Sequence, residues 1–339
     1  MKYHILGCSW AMGEMEAPYV NSENLWCNEN RILKRKGEHW SILLYNKRLV
    51  GGKECTLFLP FDKDELYERY DEQLANEFID YRDWVNKKSF GNIFCNNIKK
   101  ENDEVINYAL AGVSNFMQID SLNCNLDNVS KGDVVLLFMT TASRDRFWLQ
   151  KDHSQMIFDY FYATILLESI CQLHQLNLVI VNTFTNPFVY FLHWLENNKG
   201  IMGKKISKVA HVMKQNYQCK HMLTPNHLSN TLLDVLLDQY ETDVAFDETV
   251  DYYVSQLIDG YSEHYPKELP GVHQIRFDIS KYWKFTNKFQ NIQKDYKKWF
   301  QPRNHPTIEG HQKIANWLTE RYNNDAAFKN LFHEFKEEV

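Results

Sequence analysis

The apolar run from Val134 to Met139 is the feature that most constrains the fold of this chain. All six side chains are apolar, and a Gly132-Asp133 turn precedes them. A strand without polar alternation is buried on both faces, which is typical of a central strand in a parallel sheet. A helical stretch from about Ser154 to His174 follows, and then a second apolar run over residues 178–181. This order of strand, helix and strand predicts an α/β fold with a central parallel sheet and helical crossovers.

The first residues of the chain predict another buried strand, which ends close to a serine. The apolar run that contains Ile5 and Leu6 stops at Gly7, and a glycine permits a tight exit from a strand. Ser9 follows the carboxyl end of this strand, before a helix expected to begin near Trp10. Because ligands in open α/β sheets bind outside the carboxyl ends of the strands, Ser9 is well placed for chemistry. The alternative is that Ser9 serves only as the N-cap of that helix.

The remaining core elements are expected later in the chain. A short strand is predicted over 105–111 and a helix from about Asn115. Residues 273–279 are interpreted as the last strand or as an edge hairpin. The central sheet therefore has about five strands in this prediction.

One domain is expected to span residues 1–339, with two insertions. Residues 50–103 are interpreted as an insertion that decorates the core, with a strand at 55–59 and a helix at 64–88. Residues 187–270 are interpreted as a helical insertion or cap without a clear strand. Before the first insertion, helical spacing of apolar residues predicts an amphipathic helix over 39–49.

Composition excludes several classes of protein. A hydrophobic content of 44% allows a substantial core, and a net charge of −6 argues against a basic surface for nucleic acid. The seven cysteines have no CxxC spacing, which argues against a disulfide framework or a zinc site. The sequence contains no run of 18 apolar residues, so no transmembrane helix is expected. No signal sequence is expected before the first strand. A soluble, cytoplasmic protein is expected.

The C-terminal region predicts a histidine in a rigid loop. His305 and Pro306 precede a helix that is expected to run to about Tyr322, with Thr307 as its N-cap. The helix is expected to bury Ile308, Ile314, Ala315, Leu318 and Tyr322. Because flanking prolines hold His305 in its loop, it is a better candidate base than a histidine on a surface helix. His311 is expected to be a packed or capping histidine rather than a metal ligand.

Three short motifs occur in order along the chain: Gly7-Cys8-Ser9, then the stretch from Asn107 and Ala109 to Gly112, Ser114 and Asn115, then His305-Pro306 followed by Gly310-His311. Together they resemble the SGNH (GDSL-type) hydrolase family of serine esterases. The three motifs resemble the first, second and last blocks of that family, with Cys8 where aspartate is usual. The resemblance implies a flavodoxin-like, three-layer α/β/α fold and ester hydrolysis without a metal or an organic cofactor.

The resemblance also implies roles for particular residues. Ser9 is the nucleophile and His305 is the general base that takes the serine proton. The backbone amides of Ser9 and Gly112 bind the oxyanion, with a polar side chain, Asn115 or Thr141, as a third donor. The implied substrate is an ester, most plausibly an O-acetyl group on a carbohydrate, while lipid esters and thioesters stay open.

Two positions depart from the family pattern. The third block, where the family has a Gly-x-Asn-Asp string, reads Thr140-Thr141-Ala142-Ser143-Arg144 here, and the position three residues before His305 is Pro302 instead of aspartate. The site is therefore either a Ser–His dyad, oriented by a backbone carbonyl, or a catalytically silent cleft that binds a glycan or a protein partner.

Three further residues are candidates for substrate binding, each with an ordinary alternative. Arg144 and Arg146 either bind an anionic group of the substrate or form solvent-exposed salt bridges. Trp10 either lines the pocket or packs in the core. The sequence leaves the oligomeric state open.

Overall fold

The computed structural model describes the following residues: 1–13, 46–50, 53–57, 67, 72, 76, 79, 83–84, 86–109, 114–140, 153–183, 222–223, 231–237, 298–300 and 305–335. The strands, in chain order, are β1 (Lys2–Gly7), β2 (Asn46–Val50), β3 (Lys53–Leu57), β4 (Glu104–Asn107), β5 (Val134–Met139), β6 (Asn177–Asn182) and β7 (Met222–Leu223). The helices are α1 (Ser9–Met12), α2 (Phe90–Ile98), α3 (Asn115–Asn123), α4 (His153–Leu173), α5 (Leu232–Leu237), α6 (Ile308–Asn324) and α7 (Ala326–Asn330), with a 3₁₀ turn at Leu126–Asn128.

A parallel sheet forms the centre of the described structure. Its order is β4-β1-β5-β6, and the two-residue strand β7 extends it beside β6. Every pair of neighbouring strands in this sheet is parallel. The predicted α/β class with a central parallel sheet is therefore confirmed. The strand order reverses at β1, which lies between β4 and β5, so β1 and β5 border the point where a ligand crevice is expected.

Helices cover both faces of this sheet. Every residue of β5 and β6 is buried, which requires cover on each side. On one face, alternate strand residues such as Ile5 and Phe138 share a hydrophobic core with α2, α5, α6 and α7. On the other face α3 packs against β1 and α4, and α4 packs against β6. No helix in the described ranges is long and apolar enough to cross a membrane.

The predicted strand over 105–111 is shorter in the structure. β4 ends at Asn107, and Tyr108 and Ala109 lie outside the strand. The pairing with β1 still reaches Tyr108, whose backbone N–H donates to the carbonyl of Ile5 at 2.8 Å. Beyond it, the Asn107 side-chain oxygen accepts the backbone N–H of Ala109 at 2.9 Å, so a side chain bonds the backbone there.

The predicted helix over 39–49 is wrong where the structure describes it. Residues Asn46–Val50 form β2, which pairs with β3 in an antiparallel hairpin. Only Gly51 and Gly52 separate the two strands in sequence, and a Gly-Gly pair between strands is a strong hairpin signal. The turn chemistry therefore outweighs the helical spacing of the apolar residues. Residues 39–45 lie outside the described residues.

Parts of both predicted insertions belong to the core. Within 50–103, helix α2 buries Phe90 and Phe94 completely and packs against α6. Within 187–270, β7 pairs with β6, although no strand is expected there, and α5 buries Leu232 and Leu236. Whether the two ranges are insertions stays a prediction. The predicted strand at 273–279 lies outside the described residues.

Helix α6 confirms most of its predicted pattern. Thr307 is its N-cap, since its hydroxyl accepts the backbone N–H of Gly310 at 3.0 Å. The predicted burial of Ile308 is wrong, because its side chain is 42% exposed. It lies in the first turn, before the buried stripe that begins at Gly310 and His311.

A buried carboxylate joins two chain segments, β1 and the turn before β5, at the amino-terminal edge of the sheet. Asp133 accepts hydrogen bonds from the backbone N–H of Lys2 at 2.6 Å and from that of Ser130 at 2.9 Å. The oxygen that accepts the N–H of Ser130 also lies 3.2 Å from Nε2 of the fully buried His4. Burial alone raises the pKa of Asp133, but the hydrogen bonds from His4, Ser130 and Lys2 outweigh burial and hold the pKa below its ordinary value.

We expect Asp133→Asn to lower the free energy of unfolding by about 2–4 kcal/mol, because it removes the charge from three buried hydrogen bonds. Urea unfolding followed by circular dichroism measures this loss. Asp127→Asn in the exposed 3₁₀ turn is the matched control and is expected to change stability by less than about 0.5 kcal/mol. Equal effects of the two substitutions would contradict the role given to Asp133.

Candidate active site

Ser9 lies two residues after Gly7, the last residue of β1. It is the first residue of the four-residue helix α1, one position earlier than the sequence predicts. The turn depends on Gly7, whose φ of +156° is unfavourable for other residues. A Cβ atom at Gly7 would also lie 2.6 Å from the Cβ of Ala11. Gly7 therefore allows α1 to pack closely against the end of the strand.

Two amide side chains of α3 hold the ends of the central strands. The Oε1 of Gln118 accepts the backbone N–H of Gly7 at 2.8 Å. One turn earlier, Asn115 bonds the backbone of Thr140, accepting its N–H at 2.9 Å and donating to its carbonyl at 3.4 Å. Gln118 and Asn115 are both buried. Helix α3 thereby fixes the exits of β1 and β5, the two strands that border the predicted crevice.

A short loop holds His305 in front of α6. Pro306 forms an antiparallel bridge with Phe300. The backbone N–H of Thr307 donates to the carbonyl of Trp299 at 2.9 Å, and its hydroxyl donates to the carbonyl of Lys298 at 2.6 Å. His305 is half-buried and precedes these contacts directly. The loop that carries the predicted base is therefore anchored to the segment 298–300.

Gly310 has a physical role in the last motif. A Cβ atom at this position would collide with the carbonyl oxygen of Trp299 and would lie 3.1 Å from the Cβ of Pro306. Only glycine lets the first turn of α6 approach the segment 298–300 this closely. Gly310 is therefore a packing residue that supports the position of the His305 loop.

Trp10 connects the Ser9 turn to the His305 loop. Its side chain is 2% exposed, and its ring lies 6.0 Å from that of Phe300, measured between centroids. Phe300 in turn pairs with Pro306. Trp10, the residue after Ser9, is therefore linked through Phe300 to Pro306, the residue after His305. The burial of Trp10 supports the core alternative for this residue over a pocket lining.

His311 is a packed histidine, as expected from the sequence. It is fully buried, stacks on Phe90 at 5.7 Å and accepts the backbone N–H of Phe90 on Nδ1 at 3.2 Å. The proton of the neutral ring therefore lies on Nε2. Burial, together with the charge of the neighbouring His305, lowers the pKa of His311 to about 3. His311 is neutral at physiological pH.

A polar network beside α1 is not apparent from the sequence. The Nδ2 of Asn107 donates to the carbonyl of Ala11 at 3.0 Å and to Oδ1 of Asn92 at 2.7 Å. It also lies 3.3 Å from the hydroxyl of Ser89, the N-cap of α2. The network joins β4 and α2 to the helix that begins at Ser9. The only sequence signal is a polar asparagine inside an otherwise apolar predicted strand.

Several predicted site residues lie outside the described residues: Gly112, Thr141, Arg144 and Arg146. Their predicted roles therefore stay predictions. Asn115 is described, and its side chain bonds the backbone of Thr140. Its role as an oxyanion donor also stays a prediction. Among the described residues, no group of three or more histidine, cysteine, aspartate or glutamate side chains is arranged to hold a metal ion.

Comparison with known proteins adds no assignment. No family model, no curated protein and no solved structure matches this chain significantly. The functional argument therefore depends on the residues and their geometry.

We expect Gln118→Met to destabilise the protein by about 1–3 kcal/mol, because the buried N–H of Gly7 loses its acceptor. Chemical denaturation measures the change. Gln172→Met, at an exposed position of α4, is the control and is expected to have little effect. If both variants unfold at the same denaturant concentration as the wild type, the bond to Gly7 does not support the turn.

Stability is expected to fall with acidification because of His311. Its pKa in the folded protein, about 3, lies below the ordinary value of 6.5, so the unfolded state binds the proton first as the pH falls. The contribution of His311 is intact above pH 6.5 and is lost progressively toward pH 3, by about 2 kcal/mol at pH 5.

Denaturant unfolding at pH 7.5 and pH 5 tests this dependence. His311→Asn, whose amide oxygen can accept the N–H of Phe90, is expected to remove about 2 kcal/mol of the difference between the two pH values. His174→Gln, at an exposed position, is expected to leave the difference unchanged. An unchanged difference in His311→Asn would contradict burial of a neutral ring.

Proposed function

We propose that this protein is a serine hydrolase that cleaves an ester, with Ser9 as the nucleophile and His305 as the general base. The single observation that carries the proposal is the connection between their two segments. Trp10 packs against Phe300, and Phe300 pairs with Pro306, so the residues that follow Ser9 and His305 belong to one packed unit. Two elements from opposite ends of the chain are thereby brought to the same region of the fold.

The sheet supports the position of this unit. Counted along the chain, the strands of the sheet have the order 2-1-3-4, with β7 as a short fifth. This order is that of flavodoxin-like folds, in which ligands bind at the carboxyl ends of the strands next to the reversal of strand order. Helices on both faces are consistent with a three-layer arrangement. Ser9 follows the strand at which the order reverses.

The chemistry follows from the properties of the two side chains. A serine hydroxyl is a weak nucleophile until a base takes its proton, and an imidazole that titrates near neutral pH is suited to this task. His305 would take the proton as Ser9 attacks the ester carbonyl, and would return it to the leaving alcohol. The backbone amides of Ser9 and Gly112 would stabilise the oxyanion, with Asn115 or Thr141 as a further donor.

The resemblance to SGNH hydrolases, which rests on three short motifs, suggests an acyl ester on a carbohydrate as substrate. Arg144 and Arg146 would then bind an anionic group near the site. The proposed chemistry needs no metal or organic cofactor. The cytoplasmic location expected from the sequence is also a proposal.

A catalytically silent binding protein is the second candidate. Pro302 replaces the aspartate that normally orients the base, and this substitution favours binding of a glycan or a protein partner in the same cleft. In serine proteases, loss of the orienting aspartate costs about 10⁴-fold in turnover. A backbone carbonyl that orients His305 would instead preserve a Ser–His dyad.

Labelling with a fluorophosphonate probe, read by peptide mass spectrometry, tests the hydrolase. We expect the wild type to be modified on the Ser9 peptide, Ser9→Ala to lose this label, and His305→Ala to react at least about 10²-fold more slowly, since it lacks the base. His174→Ala, which changes an exposed histidine just after α4, is the matched control and is expected to label normally.

Circular dichroism confirms that each variant is folded before labelling is compared. A folded wild type that takes no label at Ser9 would overturn the hydrolase and favour the binding protein. Equal labelling of His305→Ala and the wild type would exclude His305 as the base.

A further inference from the structure

Two threonines at the carboxyl edge of the sheet each bury a hydroxyl group without a hydrogen bond. Thr140 follows β5 and is 3% exposed, and Thr183 follows β6 and is 0% exposed. In the described part of the chain, neither Oγ1 has a hydrogen-bond partner. Buried polar groups are nearly always paired, and an exception calls for an explanation.

The backbones of the same two residues are fully bonded. Asn115 bonds both the N–H and the carbonyl of Thr140. The N–H of Thr183 donates to the carbonyl of Met139 at 3.2 Å, and its carbonyl accepts the N–H of Leu233 at 2.9 Å. The backbone positions are therefore well fixed, and the unpaired groups are confined to the two hydroxyls.

The two threonines are neighbours at the ends of adjacent strands. Met139 and Asn182 are in register across β5 and β6, so the next residues, Thr140 and Thr183, lie side by side. Adjacent strands are about 4.8 Å apart, and one oxygen atom between the two hydroxyls can accept or donate a hydrogen bond to each. Asn182 bonds Tyr160 of α4 on one face, which places Thr183, the next residue, toward the opposite face, where α5 and α6 pack.

This pair lies beside the proposed nucleophile but not at the reacting carbonyl. Gly7 and Phe138 are in register, so Thr140 is beside the turn that carries Ser9. The midpoint between the threonines is then about one and a half strand spacings, ~7 Å, from the end of β1. At that distance the pair would contact a part of the substrate that does not react.

We infer that the hydroxyls of Thr140 and Thr183 together bind a hydroxyl oxygen on the alcohol portion of the ester substrate; this inference rests on the proposed hydrolase. A hydroxyl-bearing alcohol fits because a threonine hydroxyl both donates and accepts, and because the described residues that adjoin the pair, Asn115, Asn182 and Leu233, are uncharged. Both side chains are buried in this structure, so access to the two hydroxyls has to open before the ligand binds.

A role in ligand binding would explain why both positions carry threonine rather than valine. Valine has nearly the same shape as threonine and would remove the cost of a buried unpaired hydroxyl. Sites that violate a packing or pairing rule without structural benefit are expected to be functional sites. A site built to bond a substrate hydroxyl also discriminates strongly against an analogue that lacks it.

Two matched esters test the inference on the full-length protein. Glycerol monoacetate and propyl acetate share the acetyl group and the carbon count of the alcohol, and only the former carries free hydroxyls. Thr140→Val and Thr183→Val are each expected to lower kcat/KM for glycerol monoacetate about tenfold and to change kcat/KM for propyl acetate less than about twofold. Thr140→Ser, which keeps a hydroxyl, is expected to retain most of the activity.

Thermal unfolding provides the structural control. The valine variants are expected to melt at or above the temperature of the wild type, whereas Thr319→Val is expected to melt lower, because its hydroxyl bonds Ala315 and Asn97. Equal losses on both esters, no loss on either, or melting as low as that of Thr319→Val would overturn the inference.

Failure of the hydrolase itself is distinguishable. If the hydrolase proposal fails, Ser9 takes no fluorophosphonate label and neither ester is cleaved. In that case a thermal-shift assay compares how strongly added glycerol monoacetate and added propyl acetate stabilise the wild type. A larger shift with glycerol monoacetate that disappears in both valine variants would support the threonine pair as a binding site. Equal shifts with the two esters, or shifts that persist in the variants, would overturn it.

Discussion

The parallel pairing of β1 with β5 determines where the candidate functional groups lie. Both strands are buried on both faces, so polar groups that can meet a ligand are confined to the ends of the strands. Parallel pairing brings the two carboxyl ends to the same edge of the sheet. Thr140 directly follows β5, and Ser9 lies two residues after the end of β1. Since β4 lies on the other side of β1, the strand order reverses beside Ser9, and the connecting chains diverge there. The amino-terminal edge, in contrast, is closed by the buried Asp133 carboxylate and its three donors.

The carboxyl edge is fixed from two directions by different means. On one face, the side-chain amides of Asn115 and Gln118 bond the exits of β5 and β1. On the other, Trp10, Phe300 and the close approach of Gly310 hold the His305 loop against α1 by packing. Hydrogen bonds set the direction of the strand exits, and packing sets the distance between the two segments. The unpaired hydroxyls of Thr140 and Thr183 lie at an edge whose backbone is otherwise well satisfied.

The sequence predicts the core elements well and their partners poorly. The strand at 134–139, the helix from about 154 and the Thr307 cap follow from local patterns, and the structure confirms them. The hairpin β2–β3 was hidden by helical spacing, because a Gly-Gly turn decides the local conformation. The burial of α2 against α6 and the bonds made by Gln118 involve residues more than 100 positions apart. Such contacts leave no local pattern, so only the folded chain reveals them.

His305 and His311 lie in different environments, which suit them to different roles. A base that works near neutral pH needs a pKa near neutral, and His311, with a pKa of about 3, remains unprotonated there and binds protons too weakly to serve. Its Nδ1 is also occupied by the N–H of Phe90. His305 is half-buried at the start of the same motif, and its positive charge is one cause of the low pKa of His311. Two neighbouring imidazoles cannot easily be charged together, and burial makes His311 the one that stays neutral. A neutral neighbour does not stabilise a charged imidazole as aspartate does, and with Pro302 in the aspartate position the base would depend on orientation more than on charge.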